Sequence, residues 1–379
     1  MLKIGVIGYG TRINVIVKGL VSMGEAQLTA IMDVDVDAVK KKYFEPAESE
    51  KIHFYTDAEE MLKSEKLDGI CIGTRCSLHT HYALLVAKYN LPLFLEKPVC
   101  TNYDDLNKLK EISHMNDKTV VSFPLRLSNM CTYIKEIINS GKLGEITHVQ
   151  AYNNVTYGRG YYHSWYRDEN ETGGLFLQKA THDLDYINYL LGDIKPVRIS
   201  AMESKQIYKG DKPAGLKCKD CDERPTCRES DINVQKLDEG SRISEYCCFA
   251  VDTGNQDSGS VLVQYDNGLH AVYSQNFIVR KGAGKRGARI IGYDGTLEFD
   301  WKTGIIKVYH HFDNVIETHD MGTTDGHGGG DELLRENFIG VMKGTEKSNA
   351  PLSEGILSAE MCLAAKKSAE EKIFVKIES

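Results

Sequence analysis

Several features that would place the chain in other protein classes are missing. No run of roughly eighteen or more consecutive apolar residues occurs, so no membrane-spanning helix is predicted. Lys and Arg form no dense block and the formal net charge is -8, which argues against a surface for nucleic acids or anionic membranes. No internal repeat or low-complexity segment is present. A small-molecule partner is therefore favoured.

The amino terminus and the cysteines predict a cytoplasmic protein. Residues 2–7 already have the pattern of a buried strand, which leaves no room for the basic and apolar regions of a signal peptide. The chain has ten cysteines, and most fall inside predicted helices or strands, as free thiols do in a reducing compartment.

The order of predicted elements indicates two domains in this chain of 379 residues. Strand-like and helix-like segments alternate through residue 123, which predicts a doubly wound parallel sheet with right-handed crossovers. Beyond Pro124, strands joined by short turns predict a mainly antiparallel sheet, with one strand over 243–251 and one long helix over 174–191. The predicted class is α/β, with a Rossmann domain over 1–123 and an α+β domain over 124–379.

A glycine turn follows the first strand. Gly8-Tyr9-Gly10 runs into a helix that begins with Thr11 and Arg12, the context in which backbone N–H groups and a helix terminus bind a pyrophosphate. Ile13 stands where the usual fingerprint has a third glycine, which predicts a looser approach of helix and strand.

Asp33 ends the second predicted strand, about twenty residues after the glycines, where an acid accepts hydrogen bonds from a ribose diol. Because an acid there repels a 2′-phosphate and no nearby cation compensates, NAD is favoured over NADP. The alternative is that Asp33 is only a turn acid before a helix.

A short apolar run, Leu93-Phe94-Leu95, stops at Glu96-Lys97-Pro98. Open α/β sheets bind ligands at the carboxyl ends of their strands, and the proline restricts Lys97 to extended geometry and permits a cis bond. Lys97 is thus a candidate to hold a positive charge beside a substrate hydroxyl. The alternative is that Glu96 and Lys97 form a solvated pair at a strand end.

These segments together resemble the Gfo/Idh/MocA family of nicotinamide-dependent sugar and inositol oxidoreductases across essentially the whole chain. The resemblance rests on GVIGYG, Asp33, Thr74-x-x-x-x-His79, Glu96-Lys97-Pro98, Ser140-Gly141-Lys142-Leu143-Gly144, Gly173-Gly174, His182-Asp183-x-Asp185 and Gly292-x-x-Gly295-Thr296-Leu297-Glu298. It implies that Lys97 and His182 are the catalytic pair. It also implies that the antiparallel sheet is the interface of a homodimer or homotetramer.

Two departures from the family pattern concern the site. Gln178 stands in place of the usual aspartate four residues before His182, and Arg75 and Cys76 replace a proline and an asparagine after Thr74. The predicted cofactor contacts are Gly8, Tyr9, Gly10, Thr11, Arg12, Asp33, Thr74, His79, Glu96 and Lys97.

Oxidation of a secondary alcohol needs a base within hydrogen-bond reach of the hydroxyl. We predict His182 as that base, Lys97 as the cation that favours the alkoxide, and Lys179 as an added hydroxyl donor or proton-transfer group. The alternatives are a satisfied helix histidine for His182, and for Lys179 a solvated lysine or a partner of Asp183.

Further substrate contacts are predicted from residue chemistry. Arg126 and Arg167 can bind a carboxylate or phosphate, Trp165 can stack on a sugar ring or pack in the core, and Gln178 lies on the helix face of His182. The glycine-rich segment 326–331 predicts either an active-site loop or a plain helix start.

A cysteine cluster is compatible with a structural zinc ion. Cys218-x-x-Cys221 with Cys227 has the required thiol spacing, but the fourth ligand is open because the pair Cys247 and Cys248 lies in a predicted strand.

The sequence therefore predicts an NAD-dependent dehydrogenase that takes a hydride from a secondary hydroxyl of a sugar, cyclitol or glycoside. One alternative keeps the site but makes the protein a glycoside hydrolase, in which NAD oxidises the sugar transiently to allow elimination. A non-catalytic sugar or nucleotide sensor is disfavoured, since Lys97 and His182 are both present.

Overall fold

The computed structural model describes residues 1–237, 245–323 and 327–378. The chain divides into two compact units, Met1–Thr132 with Asp325–Glu360, and Tyr133–Thr324 with Met361–Glu378. Among the described residues, no helix combines the length and the apolar character needed to cross a membrane.

The first unit is built on a six-stranded sheet in the order β3-β2-β1-β4-β5-β6. All of its strand pairs are parallel, which confirms the predicted doubly wound sheet. The strands are β1 Leu2–Ile7, β2 Ala26–Met32, β3 His53–Tyr55, β4 Gly69–Ile72, β5 Leu93–Leu95 and β6 Thr119–Val121.

The second unit is built on a nine-stranded sheet in the order β14-β13-β12-β11-β7-β10-β9-β8-β15. Among the described strand pairs of this nine-stranded sheet, only β7–β10 is parallel, so the prediction of a mainly antiparallel sheet is confirmed. The strands are β7 Ile146–Asn154, β8 Pro196–Ser204, β9 Ser258–Tyr265, β10 His270–Asn276, β11 Lys285–Gly292, β12 Gly295–Asp300, β13 Ile305–His310, β14 Ile316–Asp320 and β15 Val375–Lys376.

The helices complete both units, and α7 and α13 each contain one of the points at which the chain passes from one unit to the other. They are α1 Thr11–Ser22, α2 Val36–Tyr43, α3 Pro46–Ser49, α4 Ala58–Ser64, α5 His79–Lys88, α6 Tyr103–Glu111, α7 Asn129–Asn139, α8 Gly160–His163, α9 Glu169–Thr172, α10 Thr181–Leu191, α11 Asp231–Leu237, α12 Gly330–Lys343 and α13 Leu352–Glu371.

The helices of the first unit begin in two different ways. Asp35, Asp57 and Asn102 cap α2, α4 and α6 by accepting a hydrogen bond from a backbone N–H of the first turn. Gly10 precedes α1 and makes no such bond. The N–H groups that open α1 therefore have no side-chain cap and remain suited to an external anion.

Gly73 supplies the space that the missing third glycine would have given. Ile13 of α1 is buried at 1% exposure, and a Cβ atom on Gly73 would lie 2.4 Å from the Cβ of Ile13. α1 therefore still packs closely against the sheet, because the small residue at the contact is Gly73, just after β4, instead of a glycine in α1. The looser contact expected from Ile13 is not observed.

Two predicted elements of the second unit differ from the structure. The helix expected over 174–191 is split, because Phe176–Ala180 form a π-helical turn before α10. The strand expected over 243–251 is also wrong for its described part: residues 245–251 form turns with isolated bridges at Tyr246 and Ala250, and residues 243 and 244 lie outside the described residues. The N–H of Cys247 donates to the carbonyl of Leu216 at 2.8 Å, so this segment pairs with a loop instead of the sheet.

Candidate active site

The glycine turn of the first unit is shaped by its contact with Thr74. Gly8 has φ 78°, and a Cβ atom there would lie 2.5 Å from Cγ2 of Thr74 and 2.8 Å from its Cα. Only glycine accommodates both the positive φ and this approach. The turn and the uncapped start of α1 therefore form a cradle that fits the pyrophosphate of NAD, to which Thr11 and Gly10 would contribute backbone N–H groups.

Asp33 is held in place by the turn beside it. One carboxylate oxygen accepts the N–H of Tyr9 at 2.8 Å and the other accepts the N–H of Asp35 at 3.1 Å. The cap of α2 is Asp35 and not Asp33, which weakens the alternative of a simple helix-start acid. The carboxylate keeps lone pairs for a ribose diol. Tyr9 contributes its N–H, while its buried ring packs against Tyr43, with the ring centroids 5.4 Å apart.

Arg12 lies in an ion-pair cluster instead of standing free for a phosphate. Its guanidinium binds both carboxylate oxygens of Asp331, at 2.5 and 3.0 Å, and its Nε lies 3.3 Å from Glu96. Ser122 donates to Glu96 at 3.1 Å. Burial raises the pKa of Asp331, but His327 and Arg12 outweigh it and hold that pKa well below its usual range. Arg12 and Glu96, both predicted cofactor contacts, are thus engaged with each other.

The glycine-rich segment before Asp331 starts a helix. Gly329 has φ 85°, and a Cβ atom on Gly330 would lie 1.8 Å from the carbonyl oxygen of Pro124. The positive φ thus explains Gly329 and close packing explains Gly330, while Gly326 lies outside the described residues.

Lys97 is half-buried and follows β5, and its peptide bond to Pro98 is cis. His79 lies beneath this loop at 1% exposure and donates from Nδ1 to the carbonyl oxygen of Pro98 at 2.7 Å. Its Nε2 is 3.3 Å from the carbonyl oxygen of Thr74, and burial lowers the pKa of the ring. His79 therefore ties the loop of Thr74 to the loop of Lys97.

The π-helical turn of the second unit carries two of the predicted site residues. Lys179 is 6% exposed, and its ammonium donates a hydrogen bond to the hydroxyl of Tyr157. The same group lies 4.4 Å from the ring centroid of Tyr157 and 5.5 Å from that of Tyr161. Lys179 is thus not a solvated lysine. Gln178 is also buried and donates from its amide to the carbonyl of Thr172 at 3.2 Å.

His182 is 7% exposed and stands in the first turn of α10, next to Asp183. Asp183 is fully buried and accepts hydrogen bonds from Asn153 at 2.9 Å, Tyr273 at 2.9 Å and Arg286 at 2.8 Å. These donors lie on β7, β10 and β11. The helix that carries His182 is therefore fastened to the sheet by one carboxylate, and Lys179 is not the partner of Asp183.

The remaining predicted substrate contacts already have partners within their own units. Trp165 stacks on Tyr166 with ring centroids 3.9 Å apart. Arg167 is 4% exposed and pairs with Asp252 at 2.5 Å. Arg126, in the first unit, is 3% exposed and pairs with Glu354 at 3.0 Å.

Residues that the sequence did not single out complete the surroundings of α10. Tyr157 and Tyr161 flank Lys179, and Arg286 neutralises Asp183. The tyrosine-rich run 157–166 was a usable signal for the first two. Nothing in the local sequence of Arg286 marks it, because its role arises from strand pairing.

Family models match both parts of the chain. Residues 2–123 match the NAD-binding Rossmann fold of an oxidoreductase family, Gfo/Idh/MocA, and residues 135–377 match its C-terminal alpha/beta domain. The chain therefore belongs to the Gfo/Idh/MocA oxidoreductase family.

Relatives with curated names agree with this membership. The oxidoreductase YteT of Bacillus subtilis is 28% identical over 358 residues, covering 83% of this chain and 82% of that protein. Myo-inositol 2-dehydrogenase of Thermotoga maritima is 23% identical over 394 residues, covering 100% and 99%.

Solved structures share the fold. Levoglucosan dehydrogenase in complex with NADH has a TM-score of 0.77 at 16% identity, covering 100% of this chain and 99% of that one. Myo-inositol 2-dehydrogenase from Lactobacillus plantarum has a TM-score of 0.72 at 17% identity, with coverage of 100% and 99%. The protein is thus an oxidoreductase with an NAD-binding Rossmann domain and with dehydrogenases among its relatives.

Proposed function

We propose that this protein is an NAD-dependent dehydrogenase that oxidises a secondary hydroxyl of a sugar, cyclitol or glycoside. The observation that carries the proposal is the burial of Lys179 and His182 on one stretch of helix in a chain whose other unit has a pyrophosphate cradle. Relatives named as inositol and levoglucosan dehydrogenases support the substrate class. We keep residues 1–123 as the NAD-binding domain and 124–379 as the substrate domain.

NAD, when bound, supplies the hydride acceptor. His182 takes the hydroxyl proton, and the positive charge of Lys97 favours the alkoxide that forms. Lys179, already a hydrogen-bond donor to Tyr157, donates to a second substrate hydroxyl, while the Gln178 amide stays bound to the backbone. Asp33 accepts hydrogen bonds from the ribose diol, so NAD is preferred over NADP.

Arg126, Trp165 and Arg167 remain proposed substrate contacts. Both arginines are buried and paired with a carboxylate, Arg126 with Glu354 and Arg167 with Asp252, so a substrate anion would have to share the guanidinium with that partner. Of the predicted cofactor contacts, Tyr9, Arg12, Glu96 and His79 are assigned to holding the cradle and its loops instead of to direct binding.

A second candidate function is glycoside hydrolysis by transient oxidation. The buried Lys179 supports it as an added proton-transfer group where Gln178 stands in place of the family acid, because such a reaction needs proton transfers at two positions of the sugar. The cofactor would then be regenerated in each cycle and no reduced NAD would accumulate.

One assay separates the two functions. Purified protein is incubated with stoichiometric NAD and a panel of sugars, inositols and aryl glycosides, and nicotinamide fluorescence and released aglycone are followed together. Reduced nicotinamide without cleavage supports the dehydrogenase, and cleavage without net reduction supports the hydrolase.

The catalytic assignment is tested by substitution. Lys97→Ala and His182→Ala should each lower kcat on the order of 10² or more while NAD still binds. The exposed Lys66→Ala is the matched control and should leave kcat unchanged. Turnover of Lys97→Ala within a few-fold of the parent enzyme would refute the mechanism.

We also propose a homodimer or homotetramer that forms through the sheet of the second unit. Leu262 and Val272 are paired across β9 and β10 and are 39% and 38% exposed, so they form an apolar strip on the sheet surface. Light scattering should show an oligomer for the parent protein. The double variant that combines Leu262→Glu and Val272→Glu should be a monomer.

A further inference from the structure

Three polar side chains form one row across the sheet of the second unit. Gln275 of β10 and Arg286 of β11 each lie directly opposite Asn153 of β7. Side chains directly opposite one another share a face of the sheet. Asn153 and Arg286 both donate to the buried carboxylate of Asp183, in the first turn of α10. The row therefore lies beneath the helix that carries His182.

This row has more hydrogen-bond donors than the surrounding protein has acceptors for. Arg286 donates from Nε to Asp183 at 2.8 Å, but its Nη2 is buried and has no partner among the described residues. Gln275 is 1% exposed, and its Nε2 is also buried without a partner there. Asp183 already accepts three hydrogen bonds, one of them from this Nε. Because buried donors without an acceptor are costly, we expect an acceptor from outside the chain.

The ammonium of Lys179 lies at the same end of the sheet. Lys179 and Asp183 are four residues apart on one helical stretch, so their side chains emerge on the same side of it. Lys179 donates to the hydroxyl of Tyr157, which follows β7. The start of β11 touches this segment, since a Cβ atom on Gly284 would lie 2.6 Å from the side chain of the residue before Tyr157. Lys179 and Arg286 thus approach one region from the helix and from the sheet.

The charges of this region favour an anion over a water molecule. Lys179 and Arg286 are two cations and Asp183 is one carboxylate, so together these groups carry a net charge of +1 at neutral pH. In the part of the chain that the structure describes, no carboxylate pairs with Lys179. A water molecule could accept from the donors but would leave the charge uncompensated in a buried place.

The same arrangement does not suit a metal ion. N–H donors direct hydrogens at the site, whereas a metal ion needs lone pairs. Across the described residues, no group of three His, Cys, Asp or Glu side chains is placed to hold a metal ion, and this includes the predicted zinc ligands Cys218, Cys221 and Cys227. The geometry of these cysteines therefore gives the zinc prediction no support.

We propose that Arg286, Gln275 and Lys179 form a subsite for a carboxylate of the substrate, which makes the substrate a sugar acid such as a hexuronate. This inference rests on the proposed dehydrogenase function and narrows its substrate class. A carboxylate brings one negative charge and matches the region, whereas a phosphate ester would bring up to about two. The side chain of Arg286 keeps 14% of its surface exposed, so the row is open to a ligand from solvent.

The three side chains have complementary parts in this subsite. The planar guanidinium of Arg286 matches the two oxygens of a carboxylate, and a hydrogen bond between charged groups is stronger than a neutral one. The amide of Gln275 supplies a neutral donor beside it. Lys179 can serve the carboxylate and a substrate hydroxyl together, because an ammonium has three donors and Tyr157 uses one of them.

A comparison of paired sugars tests the substrate class. The enzyme with saturating NAD is given D-galacturonate and D-glucuronate, their neutral counterparts D-galactose and D-glucose, and D-glucose 6-phosphate. The kcat/KM for the uronates should exceed that for the neutral sugars about 100-fold, since each hydrogen bond to a charged group contributes about 10- to 100-fold. Equal kcat/KM for uronates and neutral sugars would overturn the carboxylate subsite and leave the dehydrogenase standing. A preference for the phosphate would do the same.

Gln275→Glu tests the row itself. The new carboxylate has the shape of the amide and can bind Arg286, so it competes with the carboxylate of the substrate. The preference for uronates over neutral sugars should fall about 100-fold. The same change at the exposed Gln206 is the matched control and should leave the preference unchanged. Equal losses on both kinds of sugar, which a purely structural role of Gln275 predicts, would overturn the proposal.

Binding without turnover separates this inference from the proposed reaction. Titration calorimetry of the protein loaded with NADH, with D-galacturonate alone as titrant, should show binding that Gln275→Glu weakens about 10-fold or more. Where Gln275→Glu fails to fold, Lys179→Met takes its place and should weaken galacturonate to the same extent without weakening NADH. Uronate binding without any reduction of NAD would support the subsite and refute the dehydrogenase. Failure of the parent to bind or oxidise either uronate would overturn the subsite.

Discussion

Each unit places an arginine and a carboxylate beside a proposed functional residue, but the two pairs differ in their exposure to water. Arg12, next to the glycine turn, has a side chain 33% exposed and is shared between Glu96 and Asp331. Asp183, next to His182, is fully buried and is shared among three donors, one of them Arg286. Solvent screens the first pair, whereas the second lies in the interior. Removing one partner should therefore cost far more in the second unit.

The largest expected effect is on the free energy of unfolding when Arg286 is removed. Arg286→Ala leaves the Asp183 carboxylate buried without its cation and should cost about 3–5 kcal/mol. Arg289→Ala, on the same strand but with a side chain 47% exposed, is the matched control and should stay within about 0.5 kcal/mol. Urea denaturation of both variants makes the measurement. Equal losses of unfolding free energy in the two variants would show that the buried Asp183 carboxylate does not depend on Arg286.

The next effect is catalytic and concerns Lys179. Lys179→Met keeps much of the apolar stem but removes the ammonium that contacts Tyr157, and should lower kcat on the order of 10². Tyr157→Phe keeps the ring beside Lys179 and removes only the hydroxyl, so a loss of a few-fold is expected. Steady-state kinetics on the substrate found by the panel assay compares them. A Lys179→Met enzyme as active as Tyr157→Phe would assign Lys179 to packing alone.

A smaller effect is expected on the cofactor side. Asp33→Ala removes the proposed acceptor for the ribose diol. The affinity for NAD should fall about 10- to 100-fold, since a hydrogen bond to a charged group is worth about 1.5–3 kcal/mol. Asp35→Ala removes only the cap of α2 and should lower stability by about 1 kcal/mol with NAD affinity unchanged. Titration calorimetry with NAD and NADP measures both variants. If Asp33→Ala kept the parent's preference for NAD over NADP, Asp33 would not contact the ribose.

The sequence predicted the first unit more completely than the second. The reason is that the features of the first unit depend mostly on residues close together in the chain, whereas those of the second depend on residues far apart. The glycine turn, the strand ends and Lys97 are determined by local order, because each parallel strand delivers its last residue to the same edge of the sheet. Even there, the replacement of a glycine by Ile13 was misread, since the compensating Gly73 lies 60 residues away in the chain (73 − 13). Long-range compensation has no local signature.

The second unit depends on contacts across the sheet that no motif records. Asn153, Tyr273 and Arg286 meet Asp183 only because β7, β10 and β11 are neighbours. The π-helical turn was read as ordinary helix, because its residues have normal helical character and the wide turn comes from packing. His182 and Lys179, which the sequence marks as catalytic candidates, are both buried on this helical stretch, and their catalytic roles stay a prediction.

The smallest effect is the pH dependence of the Arg12 cluster. The pKa of Asp331 is lower in the folded protein than in the unfolded chain, so its pairing stabilises the fold above the ordinary carboxyl value and this contribution is lost as the pH falls. Asp331→Asn should therefore lower Tm at neutral pH, and the gap to the parent should narrow below about pH 4. Thermal melts across that range make the measurement, and Asp313→Asn, at an exposed turn, is the control. A gap that stayed constant with pH would mean that Asp331 acts through hydrogen bonds alone, without the charge pairing that distinguishes this cluster.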